Sequence, residues 1–529
     1  MSVLTGGWAL SRLTLRLDRL RLPVWALALA LLTLPIPRAF ETLYPTQADR
    51  EAFAATGAAS PLLVAFTGPP VGLDTLGGLT AWRSTGFAVV VLGLLGVLTV
   101  ARHVRAAEED GRAELTRAAA VGRAAGTVSA LGVTCAAQLL AALLVGGGLA
   151  AQGLPVAGSV AFGLAIAAGG WVFTGLTGVL AQLSRSARLV SAVGSAALAA
   201  AFVVRAVGDL TGSSWSQASP IGWAQAVQPY AGEQWGRLLA PMGVAALLAA
   251  AAIALAARRD LGAGLVAERR RPDQARPGLA SPLALAGRLL RGSVLGWSLG
   301  LLAGGVVYAS AGSTVSALLD ATPGLRAYFE AQGNGTIVDA YFATVMGILG
   351  LPAAAAAVAV VLRLRGEETS GRSELVLAAA VTRQQWALAH VVVGAGTVLL
   401  GLLGAGLGAG LTYGLQTPRP AREAGRLLLA ALLQAPAALV FAGVAMLCVG
   451  WLPRATAVAW SVLAACAVVG LLGAALGLPD GVRDLTPFSH TPSYLGGPVT
   501  AGGPIVLLGV AGVLAAVGVT GYRRRGLVT

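Results

Sequence analysis

The sequence predicts an all-α polytopic membrane protein with about twelve membrane-spanning helices arranged as two six-helix pseudo-repeats. Of the 529 residues, 56% are hydrophobic and 11% are charged, whereas soluble domains have about 25% charged residues. Apolar stretches of about 20 residues recur along the whole chain, and each is long enough to cross ~30 Å of hydrocarbon as a helix. A charged segment also occurs twice, which indicates an internal duplication.

The apolar stretches define the predicted domain organisation. A first six-span half covers 1–257, an Arg- and Pro-rich linker covers 258–291, and a second six-span half covers 292–529. The predicted spans are 23–36, 84–101, 124–150, 156–182, 189–207 and 238–257, then 294–311, 341–362, 385–413, 427–451, 455–477 and 503–521.

Three segments outside the spans have a distinct character. Residues 8–22 place arginines at helical spacing between leucines, which predicts an amphipathic helix lying on the inner membrane surface. Residues 37–83 are predicted to form a polar loop. Residues 215–235 are too short and polar to span, and are predicted to be re-entrant or interfacial.

The charge distribution predicts the orientation. All 37 basic residues are arginines, and most fall on one side if the N-terminus is inside, whereas the 23 acidic residues divide almost evenly. The positive-inside rule therefore predicts a multi-pass plasma-membrane protein with both termini cytoplasmic. The net charge of +14 is then a topology signal and a contact with anionic lipid, so no nucleic-acid partner is predicted.

The residue types limit the chemistry. The chain has no lysine, so it lacks the residue that a P-loop places at the β- and γ-phosphates of ATP. Cys135, Cys448 and Cys466 fall within apolar stretches and are predicted to be buried thiols rather than a disulfide or metal set. The three histidines are scattered along the chain. The sequence therefore predicts neither a metal site nor catalytic residues.

The duplicated charged segment lies at residues 102–123 and 363–390. Nine of the thirteen positions from 111 to 123 are identical in the second copy, 371–383. We predict a short amphipathic helix in each copy, with Asp110 and Ser370 as N-caps. We also predict ion pairs from Glu108 to Arg112 and from Glu368 to Arg372, four residues apart. Thr382 and Gln385 are predicted to form a capping box for the following span.

Small and polar residues within the spans favour helix packing. Gly404, Gly406, Gly408 and Gly410 form two overlapping GxxxG patterns, which predicts close approach of a neighbouring helix. Three glutamines are placed at membrane depth, where they are predicted to hydrogen-bond between helices or to contact a substrate: Gln138, Gln182 and Gln434.

Four motifs resemble the two-fold-repeated permeases of ABC exporters of the tetronasin type, the actinobacterial exporters of polyketide antibiotics. They are GEETSGRSELVLAAAVTRQQWALAH at 366–390, its shorter counterpart in the first repeat, EEDGRAEL at 108–115, GGLTAWR at 77–83 and ARRDLGAG at 257–264. The resemblance covers essentially the whole chain. The first copy lacks the Ser before Gly111, and Ala120 and Ala380 stand where relatives often have Pro.

The resemblance implies an ABC-2-type permease that exports a lipophilic or amphipathic compound and works with a separately encoded ATPase dimer. ATP and Mg²⁺ would then bind on that partner, with no cofactor in this chain. The two charged segments would be the coupling elements. The residues implied in ATPase coupling are Glu108, Glu109, Gly111, Arg112, Glu114 and Leu115, with Glu367, Glu368, Gly371, Arg372, Glu374 and Leu375.

Two other function classes remain open from the sequence. A secondary carrier of the major-facilitator type also has twelve spans and charged loops after spans two and eight. Against it, no span has a carboxylate near its middle, whereas ion-driven carriers usually need intramembrane ionisable groups. A membrane-embedded transferase acting on a diphosphate would need a carboxylate pair such as D-x-D or D-x-x-x-D. The sequence contains no D-x-D, and its single D-x-x-x-D, Asp480 to Asp484, lies between the last two predicted spans rather than within one.

Overall fold

The computed structural model describes residues 5–56, 61–117, 121–260, 262–266, 281–310, 337–472, 478–492, 494–495 and 502–525. These residues are mostly helical and include no β-strand, which confirms the all-α prediction. Within these ranges, eleven helical stretches are long and apolar enough to cross a membrane. The chain divides into two compact units, Met1–Arg270 and Arg271–Thr529. The predicted linker, 258–291, includes the point of division, and its residues 267–280 are not among those that the structure describes.

Each unit is a set of helices joined by short connections. Those of the first unit are α1 (Gly7–Leu17), α2 (Arg21–Thr33), α3 (Ile36–Leu43), α4 (Gln47–Thr56), α5 (Pro61–Thr67), α6 (Leu76–Val100), α7 (Ala107–Glu109), α8 (Arg112–Arg117), α9 (Ala125–Ala151), α10 (Val156–Leu183), α11 (Ala187–Thr211), α12 (Pro220–Gln225) and α13 (Leu239–Arg258). A π-helical stretch, Ala101–Ala106, joins α6 to α7, so that Leu76–Glu109 is one long helix. Those of the second unit are α14 (Pro282–Ser310), α15 (Ile337–Thr369), α16 (Arg372–Leu377), α17 (Arg383–Gly414), α18 (Pro420–Leu432), α19 (Ala435–Trp451), α20 (Ala457–Leu472), α21 (Asp480–Arg483) and α22 (Gly502–Arg524).

The observed helices differ from the predicted spans in several places. Helix α6 begins at Leu76 rather than at residue 84, and α14 begins at Pro282, within the predicted linker 258–291. The segment 37–83, predicted to be a loop, contains α4, α5 and most of α3, and the first apolar stretch runs over Arg21–Leu43. The predicted span 455–477 contains α20, which has 16 residues. A helix of that length is roughly 24 Å long, less than the ~30 Å hydrocarbon core, and residues 473–477 lie outside the description.

The two units use the same packing plan. In the first unit α10, the fourth apolar helix, packs along both α6 and α13, the second and sixth. In the second unit α19 occupies the equivalent place and packs along α15 and α22. This agreement supports the six-helix pseudo-repeat, because the same pairs of helices are neighbours within each half.

Glycines allow the helices of the second unit to approach closely. Gly404 and Gly408 of α17 face α14, where an added Cβ would lie 2.9 and 2.4 Å from a backbone oxygen. Gly406 and Gly410 face α18, where an added Cβ would lie 2.7 Å from a backbone Cα in each case. The four glycines therefore form two GxxxG pairs on different faces of α17, and each pair contacts a different neighbouring helix. Such contacts matter in a bilayer, because lipid tails are as apolar as leucine and supply no hydrophobic driving force between helices.

The segment between α11 and α13 is packed into the first unit. It contains a 3-10 turn, Ser214–Ala218, and α12, and Ile221 and Ala224 are fully buried. Tyr230 has a positive φ of 63°, and its ring lies against Gly158 of α10, where an added Cβ would be 2.2 Å from a ring carbon. Its hydroxyl is 2.9 Å from Ser159 Oγ, and burial raises its pKa to about 12.

Substitution of Gly518 by Ala is expected to lower the stability of the second unit. An added Cβ would lie 2.5 Å from the backbone carbon of Met446 in α19, and overpacking of a close contact commonly costs about 1–3 kcal/mol. We expect a lower midpoint of thermal unfolding in detergent for Gly518→Ala. Gly512→Ala in the same helix is the control, because its Cβ would meet nothing within 4 Å. Equal midpoints for the two variants would contradict the packing argument.

Candidate functional site

The two charged segments have the same backbone turn. In each copy a glycine in the left-handed region separates a long helix from a short one: Gly111 has φ 71° and Gly371 has φ 70°. The Gly111 amide donates to the Glu108 carbonyl at 3.1 Å, and the Gly371 amide donates to that of Glu368 at 2.9 Å. A side chain at either glycine would strain this conformation. The left-handed turn therefore explains why both copies of the charged segment have glycine at this position.

In the first unit the turn is held by a buried ion triad. Glu108 bonds to Arg105 at 2.7 Å and to Arg259 at 2.5 Å, and all three side chains are at most 8% exposed. Arg105 also donates to the Ala181 and Gln182 carbonyls in the last turn of α10. Arg259 follows α13 directly and donates from Nε to the Gln182 side chain at 2.9 Å. The triad thus joins the end of the long helix Leu76–Glu109, which begins as α6, to the ends of α10 and α13.

The second unit has an equivalent triad. Glu368 bonds to Arg365 at 3.0 Å and to Arg525 at 2.8 Å, and the Glu368 side chain is 1% exposed. Arg365 donates from Nε to the Pro453 carbonyl, just beyond α19, at 3.1 Å. Arg525 directly follows α22. The ends of α15, α19 and α22 are therefore joined as those of α6, α10 and α13 are in the first unit.

Several predicted local interactions are wrong. Arg112 pairs with Asp110 at 2.7 Å rather than with Glu108, and Arg372 pairs with Glu367 at 2.6 Å rather than with Glu368. The turn at the glycine interrupts the helix, so residues four apart do not share a helix face. Glu108 and Glu368 instead face the ends of α13 and α22.

The predicted N-caps are wrong for the same reason. Asp110 closes α7 as its C-cap residue, and Ser370 donates back to the Gly366 carbonyl at 2.8 Å. The residue before α16 is Gly371, which makes no side-chain cap bond. The predicted capping box of Thr382 and Gln385 is confirmed at the start of α17.

The short helices expose a matched pair of side chains in each copy. Leu115 of α8 is 77% exposed and Leu375 of α16 is 78% exposed. Glu114 and Glu374 precede them and are also exposed. A large apolar side chain at the same exposed position of both repeats, next to a carboxylate, is the composition of a small docking surface. We call these four residues the paired knobs.

The other predicted site residues support the turn. Glu109 accepts a hydrogen bond from the Ala187 amide at 2.7 Å, at the start of α11, where a helix N-terminus favours an anion. Glu367 is buried and pairs with Arg372, whose side chain is 56% exposed. Of the residues predicted to contact a partner, Glu108, Glu367 and Glu368 are therefore internal. Arg112, Glu114, Leu115, Arg372, Glu374 and Leu375 are exposed.

Sequence reasoning missed four residues of the triads: Arg105, Arg259, Arg365 and Arg525. Arg105 and Arg365 stand three residues before Glu108 and Glu368, so the repeated R-x-x-E spacing was a usable signal. Arg259 and Arg525 lie just beyond the last helix of each half. In the sequence Arg259 is part of the ARRDLGAG motif and Arg525 is a topology signal, and neither observation indicates a carboxylate partner. Their partners are 151 and 157 positions away along the chain, so no local pattern connects them.

Comparison with known proteins places the chain in a family. Residues 279–523 match the family described as "Multidrug efflux system permease Rv1217c, C-terminal domain". Over 526 residues the chain is 40% identical to the multidrug efflux system permease protein Rv1217c of Mycobacterium tuberculosis, and the alignment covers 98% of this chain and 95% of the relative. The chain is thus a multi-pass membrane protein that belongs to the family of the multidrug efflux system permease Rv1217c.

Proposed function

We propose that this chain is the membrane subunit of an ABC exporter that moves lipophilic or amphipathic, drug-like compounds out of the cell. The observation that supports this most directly is the pair of exposed knobs, Glu114–Leu115 and Glu374–Leu375, at equivalent positions of two internal repeats. Two matched docking elements suit a partner with two equivalent surfaces, such as an ATPase dimer. The name of the relative, a multidrug efflux permease, agrees with export as the activity, and the sequence motifs favour the tetronasin-type exporters within this group.

The coupling mechanism follows from the division between buried and exposed residues. The knobs contact the ATPase, and the buried triads connect each knob to the ends of three long helices. Breaking a buried ion pair by removing one partner costs about 3–5 kcal/mol, so the three helix ends move with the knob rather than apart from it. Closure of the ATPase dimer would then shift both helix sets and favour the outward-open state.

The composition of the chain supports the proposed substrate class and energy source. The spans are rich in Ala, Leu, Val and Gly, which suits a lipophilic cargo. ATP and Mg²⁺ bind on the separate ATPase, because the chain has no lysine for a P-loop. We place the arginine-rich helix ends and both termini in the cytoplasm from the positive-inside rule.

Charge reversal of the knobs tests the coupling contact. We expect Glu114→Arg/Glu374→Arg to insert normally but to lower substrate-stimulated ATPase activity and export together by at least tenfold. The reason is that loss of one member of an interfacial ion pair costs about 2–5 kcal/mol when the pair is buried. The measurements are co-purification with the ATPase and stimulated ATP turnover in proteoliposomes.

The matched control for charge reversal is Asp260→Arg. Asp260 is an exposed carboxylate just beyond α13 that is not part of a knob. This variant should retain both activities. Normal complex yield and normal turnover of the double knob variant would show that the glutamates are not the coupling contact.

The purified chain alone is expected to show only background ATP hydrolysis, because no lysine is available to a P-loop. Addition of the cognate ATPase should give ATP turnover.

The energy source of export is tested separately with a protonophore. Because the proposed export is driven by ATP, a protonophore should leave export by vesicles supplied with ATP largely intact. Loss of transport at constant ATP would favour the secondary-carrier alternative.

Cysteine labelling tests the orientation. In a chain without its three native cysteines, a cysteine placed at the exposed Gln47 should react with an impermeant maleimide added outside intact cells. Cysteines at Ala275 and Thr529 should react only after the membrane is permeabilised. External labelling of Ala275→Cys would reverse the proposed topology.

A further inference from the structure

A cavity of about 850 Å³ lies within the first unit, between the amphipathic helix α1 and the first charged segment. One wall is formed by α1 and the turn into α2. The other is formed by the π-helical stretch Ala101–Ala106, α7, α8 and the first residues of α9. The walls are tied together at Asp18, which is fully buried and bonds to Arg102 and, at 2.6 Å, to His103. The volume is in the range typical of small-molecule sites.

The cavity is strongly cationic. Arg16, Arg19 and Arg21 line it from the α1 side, and none of the three pairs with a carboxylate in the described part of the chain. Further arginines line the opposite wall, among them Arg102 and Arg112. Among the described lining residues, Glu108 is the single carboxylate, and it is neutralised within the buried triad. Arg102 and Arg112 are paired with Asp18 and Asp110. The excess of positive charge in the cavity therefore comes from the α1 side, from Arg16, Arg19 and Arg21.

Leucines of α1 and of the turn into α2 give the cavity an apolar side. Leu13, Leu17 and Leu20 line it and are 42%, 53% and 73% exposed. An amphipathic helix with leucines and arginines is the type of element that lies in the membrane interface. A ligand that satisfies both surfaces needs an anionic group and a hydrocarbon chain.

We propose that this cavity binds an anionic phospholipid from the adjacent leaflet, with its phosphate among the arginines and an acyl chain along the leucines. Arginine suits this role because its planar fork donates to two phosphate oxygens at once. Ala113, Leu115 and Thr116 of α8 also line the cavity, so the bound lipid contacts the first knob. This inference goes beyond the proposed function, since lipid binding requires neither the ATPase nor a transport substrate.

Removal of charge is the first test. The full chain is purified, stripped of lipid and titrated with phosphatidylglycerol or phosphatidylcholine, and bound lipid is counted by native mass spectrometry. We expect clear preference for phosphatidylglycerol. An arginine at a membrane surface contributes about fivefold in affinity, so Arg16→Gln/Arg19→Gln should lose roughly 25-fold. The control is Arg12→Gln, which removes a charge from the same helix outside the cavity lining and above the Trp8 ring.

Filling the cavity without changing charge is the second test. Gly126 lines the cavity, and a Cβ added there would meet nothing within 4 Å. Gly126→Phe should therefore fold normally and lose phosphatidylglycerol binding. Gly132→Phe lies on the same helix, in open space and outside the lining, and should retain it.

Three results would overturn the proposal. The first is equal affinity for the two lipids. The second is an equal loss in the cavity variants and their controls, which would indicate general attraction to the basic surface. The third is complete displacement of the lipid by millimolar inorganic phosphate, which would indicate a phosphate site.

Discussion

A buried carboxylate shared between two arginines holds the arginine-rich end of each six-helix unit together. Taking charges out of water is costly, so such groups persist only where partners and further hydrogen bonds compensate for the lost hydration. Here the compensation is extensive: Arg105 and Arg259 bond both to Glu108 and to backbone or side-chain oxygens at the end of α10. The arginines also cap helix C-terminal carbonyls, which carry partial negative charge. One buried ion triad thus connects the ends of three long helices in each unit.

This arrangement explains why carboxylates cluster where the positive-inside rule favours arginines alone. Glu108 and Glu368 are internal to the fold. The arginines whose charge they balance are at most 3% exposed in the first triad and 15% exposed in the second. The exposed glutamates, Glu114 and Glu374, lie six residues further along each segment and beyond the glycine turn, outside the triads. Each short segment therefore contains carboxylates with internal contacts, Glu108 and Glu109 or Glu367 and Glu368, and an exposed one that is available to a partner. The glycine turn between them separates the two roles in space.

The apolar part of the fold depends on backbone proximity. In a bilayer, helices gain little from burying leucine against leucine, so contact relies on small residues and on hydrogen bonds between helices. Gly450 and Gly518 bring the backbones of α19 and α22 together, and an added Cβ at Gly450 would lie 2.1 Å from the Gly518 oxygen. Gln138 adds a polar link, donating to the Leu92 carbonyl at 2.7 Å and to Thr174 at 2.9 Å. This outcome agrees with interhelical bonding rather than substrate contact for that glutamine.

The sequence by itself determined the helical class, the repeat and the position of the charged segments. These properties depend on hydrophobicity over about 20 residues and on local identity, both of which are readable along the chain. It also determined the capping box of Thr382 and Gln385, whose members are three residues apart. It did not determine the helices within residues 37–83, because short amphipathic helices lack the long apolar signal of a span.

Only the tertiary structure decided which carboxylates are buried and which arginines they bind. Glu108 meets Arg259, and Glu368 meets Arg525, across more than 150 positions of chain. Adjacent glutamates look alike in sequence, yet in each copy only the one that faces the end of the last helix of its half, Glu108 or Glu368, joins the triad. The i to i+4 pairing failed because one glycine with positive φ turned the chain. Contacts of that kind depend on how the helices pack, and packing is a property of the whole unit rather than of the segment.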